Sequence, residues 1–358
     1  MAIIPLNQKF HTIENSVVTQ ERGSALVNSQ KEIFVTQDII DTVSAYVGLG
    51  GTQYVFVAAN GTDLQNAAEL QAAYVTAQGM SPSITNRITV IAAPGNYNFS
   101  TANFEMNTDY IDLVSLDGNK SIVFNGSNTI EITTNDVFVR GVDVGTLNFT
   151  IANSLNLLRV ENCTGGDYSF GGGDTASGTF TNCTGGVGSF GGLFGAAYGT
   201  ASGVFNSCIG GNESFGAYNL ANGTFTNCSG GDAAFGGDGG TASGVFNSCT
   251  GGDFSFGETA SGTFTDCTGG DYSFGAYVTA SGTFTNCTGG DYSFGGGGGT
   301  ASGVFTNCTG GDYSFGGGGG TLSGFLYYCR LTSGTFETVS GGGRTVLCID
   351  GSNNQNNQ

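Results

Sequence analysis

The chain has 358 residues, of which 65 are glycine and 3 are proline, and its formal net charge at pH 7 is −19. This glycine content excludes a helical solenoid, and the lack of a three-residue glycine period excludes collagen. Between residues 160 and 321 there are 12 acidic residues and no Lys or Arg, which argues against nucleic acid and anionic membrane surfaces as partners.

Residues 1–50 have a composition of their own, with the single histidine, His11, and three of the nine basic residues. Segment 38–47 is apolar at helical spacing and is followed by glycines, so we predict an extended arm and then a short helix. The chain has no apolar run of membrane-spanning length and its first residues lack the pattern of a secretory signal. We therefore expect folding in a cytoplasm and no membrane insertion.

Residues 51–86 are predicted to form a capping strand and a capping helix. The strand covers residues 54–57, and Thr62 and Gln65 have the spacing of a capping box for a helix over residues 64–78 that stops at Gly79. Residues 87–157 then contain short aliphatic segments that predict the first rungs of a β-helix. A helix in front of the first rung would cover the open edge of the sheet.

From residue 158 to residue 321 the chain repeats one unit, which residues 282–295 show clearly as Gly-Thr-Phe-Thr-Asn-Cys-Thr-Gly-Gly-Asp-Tyr-Ser-Phe-Gly. The alternation in Gly-Thr-Phe-Thr predicts a strand with Phe inside and Thr outside, and Asn suits a left-handed corner before an inward Cys. Ser-Phe-Gly supplies a second inward Phe. We predict an all-β fold, a right-handed parallel β-helix with about 20 residues per rung. The period is set by the ten cysteines, Cys163, Cys183, Cys208, Cys228, Cys249, Cys267, Cys287, Cys308, Cys329 and Cys348.

Residues 322–358 again contain bulky and basic side chains, unlike the repeats before them. This composition predicts a closing cap followed by a polar tail. The tail, from Gly351 onward, is rich in Asn and Gln and is expected to be disordered.

The cysteines lack the spacings of zinc or iron–sulfur sites, and side chains in one register have poor geometry for a disulfide. We interpret them as a column of free, buried thiols. Oxidation or metal uptake by some of them is the alternative.

Six aspartates follow Gly-Gly pairs: Asp167, Asp232, Asp253, Asp271, Asp291 and Asp312. They can be solvated turn residues that cap backbone N–H groups, or Asp253, Asp271, Asp291 and Asp312 can form a row that binds a cation such as Ca²⁺. A catalytic pair of carboxylates is usually a local irregularity, whereas these recur in every rung. We therefore predict no catalytic residue and no cofactor other than that possible Ca²⁺.

Two other surfaces could bind a ligand. The outward Thr-x-Thr pairs could match an ice lattice, or they reflect ordinary strand propensity. The side of the rung with variable length contains aromatic residues that could hold sugar rings or could fold back on the solenoid. These residues are Phe194, Tyr198, Tyr218 and Tyr277.

Residues 1–12, 22–25 and 37–43 resemble the start of virion structural proteins of marine cyanophages with contractile tails. The repeat resembles those of fibre-like proteins from the same phages, and its Phe-x-Asn-Cys element is similar to rungs of the pectate-lyase-like superfamily. The resemblance implies a virion fibre or appendage, assembled in the host cytoplasm, that docks onto other virion proteins through residues 1–50. It also implies a homo-oligomer, with a trimer expected, that attaches to a glycan or protein of the host surface. A polysaccharide-degrading tailspike and a ligand-free architectural appendage are the alternatives.

Overall fold

The computed structural model describes residues 9–14, 17–22, 53–152, 155–172, 174–194, 197–336 and 343–357, with the backbone alone for residues 9–14, 17–22, 193–194 and 197–198. The chain is a parallel β-solenoid of about 12 turns with rungs of about 21 residues. The predicted β-helix and its repeat are therefore confirmed. The helix expected over residues 38–47 lies outside the described residues.

The first of two compact units comprises residues 1–104, 108–128 and 137–143. Lys9–Glu14 and Val17–Arg22 form an antiparallel hairpin within the predicted arm. One parallel sheet is formed, in spatial order, by Gln53–Val57, Ile88–Ala92, Ile111–Ser115 and Phe138–Arg140. A second is formed by Gly95–Tyr97, Ile122–Phe124 and Val142–Asp143.

The helix of this unit, Asp63–Gly79, begins with the predicted capping box. The Thr62 hydroxyl accepts the Gln65 N–H at 3.3 Å, and the Gln65 side-chain oxygen accepts the Thr62 N–H at 2.8 Å. The helix includes Gly79 and its cap is Met80, so it ends later than expected. Its buried face includes Leu70 and packs against the first two long strands and Gly95–Tyr97.

The second unit comprises residues 105–107, 129–136 and 144–358 and contains the repeats. Its longest run of parallel strands is Arg159–Glu161, Thr179–Thr181, Val204–Asn206, Thr224–Thr226, Val245–Asn247, Thr263–Thr265, Thr283–Thr285, Val304–Thr306, Phe325–Tyr327 and Arg344–Val346. A second run is Thr175–Ala176, Thr200–Ala201, Leu220–Ala221, Thr241–Ala242, Thr259–Ala260, Thr279–Ala280, Thr300–Ala301 and Thr321–Leu322. Smaller sheets are Phe104–Met106 with Ile130–Ile132 and Thr150–Ile151, and Thr309–Gly310 with Arg330–Leu331, Cys348–Ile349 and Gln355–Asn356.

Two columns of buried Phe rings fill the core of the repeats. Within the columns, neighbouring rings stack at centroid distances of 4.8–5.2 Å and 4.6–4.9 Å. Between the columns, rings meet edge to face at 5.5–6.1 Å. Burial stabilises each ring by about 1.5–3 kcal/mol, and aromatic pairing adds roughly 0.5–1.5 kcal/mol. The columns are Phe180, Phe205, Phe225, Phe246, Phe264, Phe284 and Phe305, and Phe170, Phe190, Phe215, Phe235, Phe256, Phe274, Phe294 and Phe315.

The residue before each cysteine lies in the left-handed region, as predicted for the corner. Its φ is 53° at Asn182, 54° at Asn227 and 56° at Asn286. An amide side chain tolerates this conformation better than most L-residues do, which explains why Asn is the usual residue here.

The C-terminal segment is ordered through Asn357, so the expected disorder of the tail is wrong for residues 351–357. Gln355–Asn356 pairs antiparallel with Cys348–Ile349, and the Asp350 carboxylate accepts the N–H groups of Ser352 and Asn354 at 2.9 and 2.8 Å. Polar side chains that suggested disorder instead complete a turn and occupy a sheet edge.

Within the described part of the chain, no helix has both the length and the apolar character needed to cross a membrane.

Candidate binding surface

The four aromatic residues predicted from the variable side come from three separate segments of the chain. Phe194 and Tyr198 lie on the two strands of a short antiparallel hairpin, Leu193–Phe194 and Ala197–Tyr198. Tyr218 is half-buried, and its hydroxyl lies 3.4 Å from Glu213 Oε1. Burial and the neighbouring carboxylates of Glu213 and Asp238 raise the pKa of Tyr218 to about 12. Tyr218 therefore packs against acidic neighbours, whereas Tyr277 is 48% exposed.

Tyr277 borders a stack of rings on the outer surface, which we call the aromatic ladder. Its four rings stack in order at centroid distances of 5.0, 4.9 and 5.0 Å, with interplanar angles of 5°, 5° and 20°. Tyr277 stacks on the second ring at 5.2 Å, and its hydroxyl raises the pKa of that tyrosine through a hydrogen bond. The four residues of the aromatic ladder are Phe254, Tyr272, Tyr292 and Tyr313.

The backbone fixes this ladder rung by rung. Phe254, Tyr272 and Tyr292 have φ values of 56–57° and donate their N–H groups to the Asp carbonyl of the next rung at 2.7–2.9 Å. The residues that follow, Ser then Phe, are buried. A left-handed residue between an outward Asp and an inward Ser directs each ring to the surface, and the repeat sets the rings one above another.

Beside it runs a second row, the aspartate ladder, which comprises Asp253, Asp271, Asp291 and Asp312. The Oδ1 atom of each of the first three accepts the backbone N–H of the next aspartate, at 2.8, 2.8 and 2.7 Å. Asp232 bonds to Asp253 in the same way at 3.0 Å. The interpretation of these residues as caps of backbone N–H groups is confirmed for Asp232, Asp253, Asp271 and Asp291.

The cation row proposed for the same four residues stays a prediction. The described residues contain no group of three or more His, Cys, Asp or Glu side chains that could hold a metal ion.

The aspartate ladder explains the second glycine of three Gly-Gly-Asp motifs, which are Gly270, Gly290 and Gly311. A Cβ atom on Gly270 would lie 2.1 Å from Asp253 Oδ1, and one on Gly290 would lie 2.0 Å from Asp271 Oδ1. The first glycine meets the buried serine of its own rung, since a Cβ on Gly289 would lie 2.5 Å from Ser293 Cβ. Both glycines are therefore needed for space.

Glycine-rich loops leave the side of the aromatic ladder open. A Cβ atom on Gly297 would lie 3.0 Å from Tyr277 Cε1 and 3.5 Å from Tyr292 Cδ1, so the loop backbone passes close to these rings and adds no side chain at this position. Tyr313 is 51% exposed and Phe254 is 37% exposed. The surface offers ring edges and phenol hydroxyls along its length, next to a row of carboxylates.

The stack was not predicted from the sequence, because the predicted aromatic residues were those that interrupt the repeat, whereas the four rings of the aromatic ladder belong to the repeat itself. The signal was available, because each ring follows a Gly-Gly-Asp in four consecutive rungs.

The ten cysteines are free and buried, as predicted. Their thiols donate to backbone carbonyls; for example, Cys228 Sγ lies 3.3 Å from the Phe205 oxygen, and Cys329 Sγ lies 3.4 Å from the Phe305 oxygen. They contribute to the core and not to the outer surface.

Comparisons with models of protein families, with curated proteins and with solved structures gave no match to this chain.

Proposed function

We propose that this protein is a structural solenoid that attaches to carbohydrate through the aromatic ladder, as an appendage of a virion that contacts the host surface. The observation that carries the attachment role is the stack of the rings Phe254, Tyr272, Tyr292 and Tyr313 with Tyr277 beside it, in which Phe254, Tyr277 and Tyr313 are exposed and the other two rings are half-buried. The virion role rests on the sequence resemblance of residues 1–12, 22–25 and 37–43 and of the repeat.

Two properties of the surface support carbohydrate as the ligand. Aromatic side chains combine an apolar ring with a polar tip, so tyrosines can pack against the C–H groups of a sugar and hydrogen-bond to its hydroxyls. The rings are also held in place by the backbone bonds of the rungs, so little side-chain entropy is lost when a ligand binds. The adjoining carboxylates of the aspartate ladder can accept hydrogen bonds from sugar hydroxyls.

The test is binding of the full chain to an array of bacterial surface glycans, compared with a Tyr292→Ala/Tyr313→Ala variant. Alanine already occupies the equivalent position at Ala233, which has a φ of 52°, so the variant is expected to fold. Loss of two ring contacts should weaken binding roughly 5- to 150-fold, which corresponds to about 1–3 kcal/mol for the pair.

Tyr168→Ala is the matched control. Tyr168 also follows a Gly-Gly-Asp, but the equivalent residue of the next rung is Gly188, so Tyr168 is not part of the aromatic ladder. If the wild-type chain binds no glycan, the ligand-free architectural alternative is favoured. If binding survives in the ladder variant but is lost in Tyr198→Ala or Tyr218→Ala, the site lies at the hairpin and Tyr218. New reducing ends in a bound glycan would favour the tailspike alternative.

The virion role has a separate test. Antibodies against the solenoid should label intact particles in electron micrographs, and antibodies against residues 1–50 should label them only after the appendage is detached. Unlabelled particles would contradict the virion role and leave the glycan role standing.

A further inference from the structure

We propose that the ligand of the aromatic ladder is a linear polysaccharide that carries amino groups and lies along the direction in which the rungs stack. This inference rests on the proposed glycan binding and adds to it the charge class and the direction of the ligand. It is carried by the position of the aspartate ladder beside the rings.

The rings and the carboxylates form two parallel rows with one member of each per rung. Each ring directly follows its aspartate, from Asp253 and Phe254 to Asp312 and Tyr313. Neighbouring rungs are about 4.8 Å apart in a parallel sheet. A ligand that contacts the ring and the carboxylate of one rung therefore meets the same two groups on the next rung. This arrangement favours a polymer of repeating units that runs along the stack.

The charge of this surface selects against anionic glycans. The hydrogen bond from the next rung uses only Oδ1 of Asp271 and is donated by a neutral N–H group, so this bond brings no positive charge to the carboxylate. The sequence supplies no Lys or Arg between residues 160 and 321. A row of like charges without basic residues in the same repeats attracts a cationic ligand and repels sulfated or carboxylated polysaccharides.

Protonated amines also suit the hydroxyls of the tyrosines. The faces of the inner rings are covered by their neighbours in the stack, so a ligand meets their phenol oxygens, which accept hydrogen bonds. An ammonium group between the two rows can donate to a phenol oxygen and to a carboxylate together. In an oligosaccharide of the same length, an acetylated amine carries no charge, so it loses the attraction to the carboxylate.

One rung of the natural sequence already has an asparagine at the position of the aspartate, and the hydrogen bond to the next rung is kept there. Asn212 occupies the aspartate position of its rung, and its Oδ1 accepts the N–H of Asp232 at 3.1 Å. Asp271→Asn/Asp291→Asn should therefore keep the hydrogen bonds between rungs. The matched control is Asp266→Asn, which also removes a negative charge but lies at the corner, where asparagine is the usual residue and where Asp266 accepts from Asn286 at 2.9 Å.

The experiment measures the affinity of the full chain for three oligosaccharides of equal length: oligomers of glucosamine, of N-acetylglucosamine and of N-succinylated glucosamine. At a pH at which the amines are protonated, the glucosamine oligomer should bind roughly tenfold more tightly than the acetylated one, and the succinylated one most weakly. Added salt should reduce the preference. The Asp271→Asn/Asp291→Asn variant should lose the preference and keep binding the acetylated oligomer, while Asp266→Asn should behave as wild type.

Equal affinity for the charged and the acetylated oligomers, or a preference that persists in the double variant, would overturn the inference and leave the proposed function in place. Binding of oligolysine as tightly as the glucosamine oligomer would also overturn it, because the surface would then select charge and not a glycan. Failure of every glycan on the array to bind would instead remove the proposed function itself.

Discussion

At the scale of single residues, the second glycine of Gly-Gly-Asp shows how one rung restricts the sequence of the next. Gly270 has no Cβ because Asp253 Oδ1 occupies that space, and Asp253 in turn accepts the Asp271 N–H. The restriction acts between residues 17 positions apart, so in the sequence it is visible only as a repeated motif. The physical reason for the motif becomes clear only when the rungs are seen stacked on one another.

Gly270→Ala should destabilise the fold by about 1–3 kcal/mol, because the new methyl group overlaps Asp253 Oδ1 and overpacking costs this much. The measurement is the midpoint of urea unfolding. Adding Asp253→Ala should recover part of the loss, since it removes the clashing oxygen, and a double-mutant cycle isolates that coupling.

Gly79→Ala is the control for this change, because nothing lies within 4 Å of a Cβ at Gly79 and the residue belongs to a helix. There the substitution should be neutral or stabilising by up to roughly 1 kcal/mol. Strict additivity of Gly270→Ala and Asp253→Ala would refute the proposed clash.

Among single residues, the left-handed corner could be predicted from the sequence, whereas the outward position of the tyrosines could not. Asn is a familiar residue of the left-handed region, so the corner at Asn286 was predictable. Tyr292 and Phe294 have φ values of 57° and 54° although neither type favours that region. Their conformation is imposed by packing between rungs, so no local preference could have revealed that the tyrosines stack outside.

At the scale of elements, columns of identical buried side chains stabilise the sheets, a contribution that long strands make in other β proteins. The strands of the repeats have two or three residues, and buried Phe, Cys and Ala columns connect them from rung to rung. The period of the cysteines and the alternation in Gly-Thr-Phe-Thr were sufficient to predict the Cys column and the first Phe column, whereas the Ala column was not predicted. The strand Gln355–Asn356 was not predictable, because its Asn and Gln residues have low strand propensity and owe their order to the edge beside Cys348–Ile349.

The buried thiol of Cys329 makes the fold sensitive to alkali. Burial raises the pKa of the Cys329 thiol to about 12 from an ordinary value of 9.0. A thiol that is harder to ionise in the folded than in the unfolded protein stabilises the fold fully below about pH 9, and this contribution is lost as the pH rises toward about 12. With reductant present, the urea midpoint should therefore fall as the pH rises from about 9 toward about 12.

Cys329→Ala should reduce that fall, because each fully linked thiol contributes up to roughly 1.4 kcal/mol per pH unit. The variant will also be less stable at neutral pH, since a buried side chain has been shortened, so the comparison concerns the slope with pH and not the midpoint itself. An unchanged slope would mean that the thiol is no harder to ionise in the folded state.

At the scale of the whole molecule, the repeats of the second unit depend mainly on their neighbours. The corresponding strands of rungs 263–265, 283–285 and 304–306 pair in one register, Phe264 with Phe284 and Phe284 with Phe305. In such an array, stability is close to a sum of terms for each repeat and each interface between repeats. The number of rungs can therefore change without changing the fold.

Removal of residues 267–286 tests this directly, because it joins Asp266 to Cys287 and deletes one complete rung in register. The shortened chain should fold with the same type of circular dichroism spectrum, a lower free energy of unfolding and a smaller urea slope, since less surface is exposed on unfolding. It also removes Tyr272 and Tyr277 and leaves a ladder of Phe254, Tyr292 and Tyr313, so glycan binding should weaken and not disappear. A deletion that unfolds the chain would show that these rungs are not equivalent, and undiminished glycan binding by a folded deletion would place the site away from the aromatic ladder.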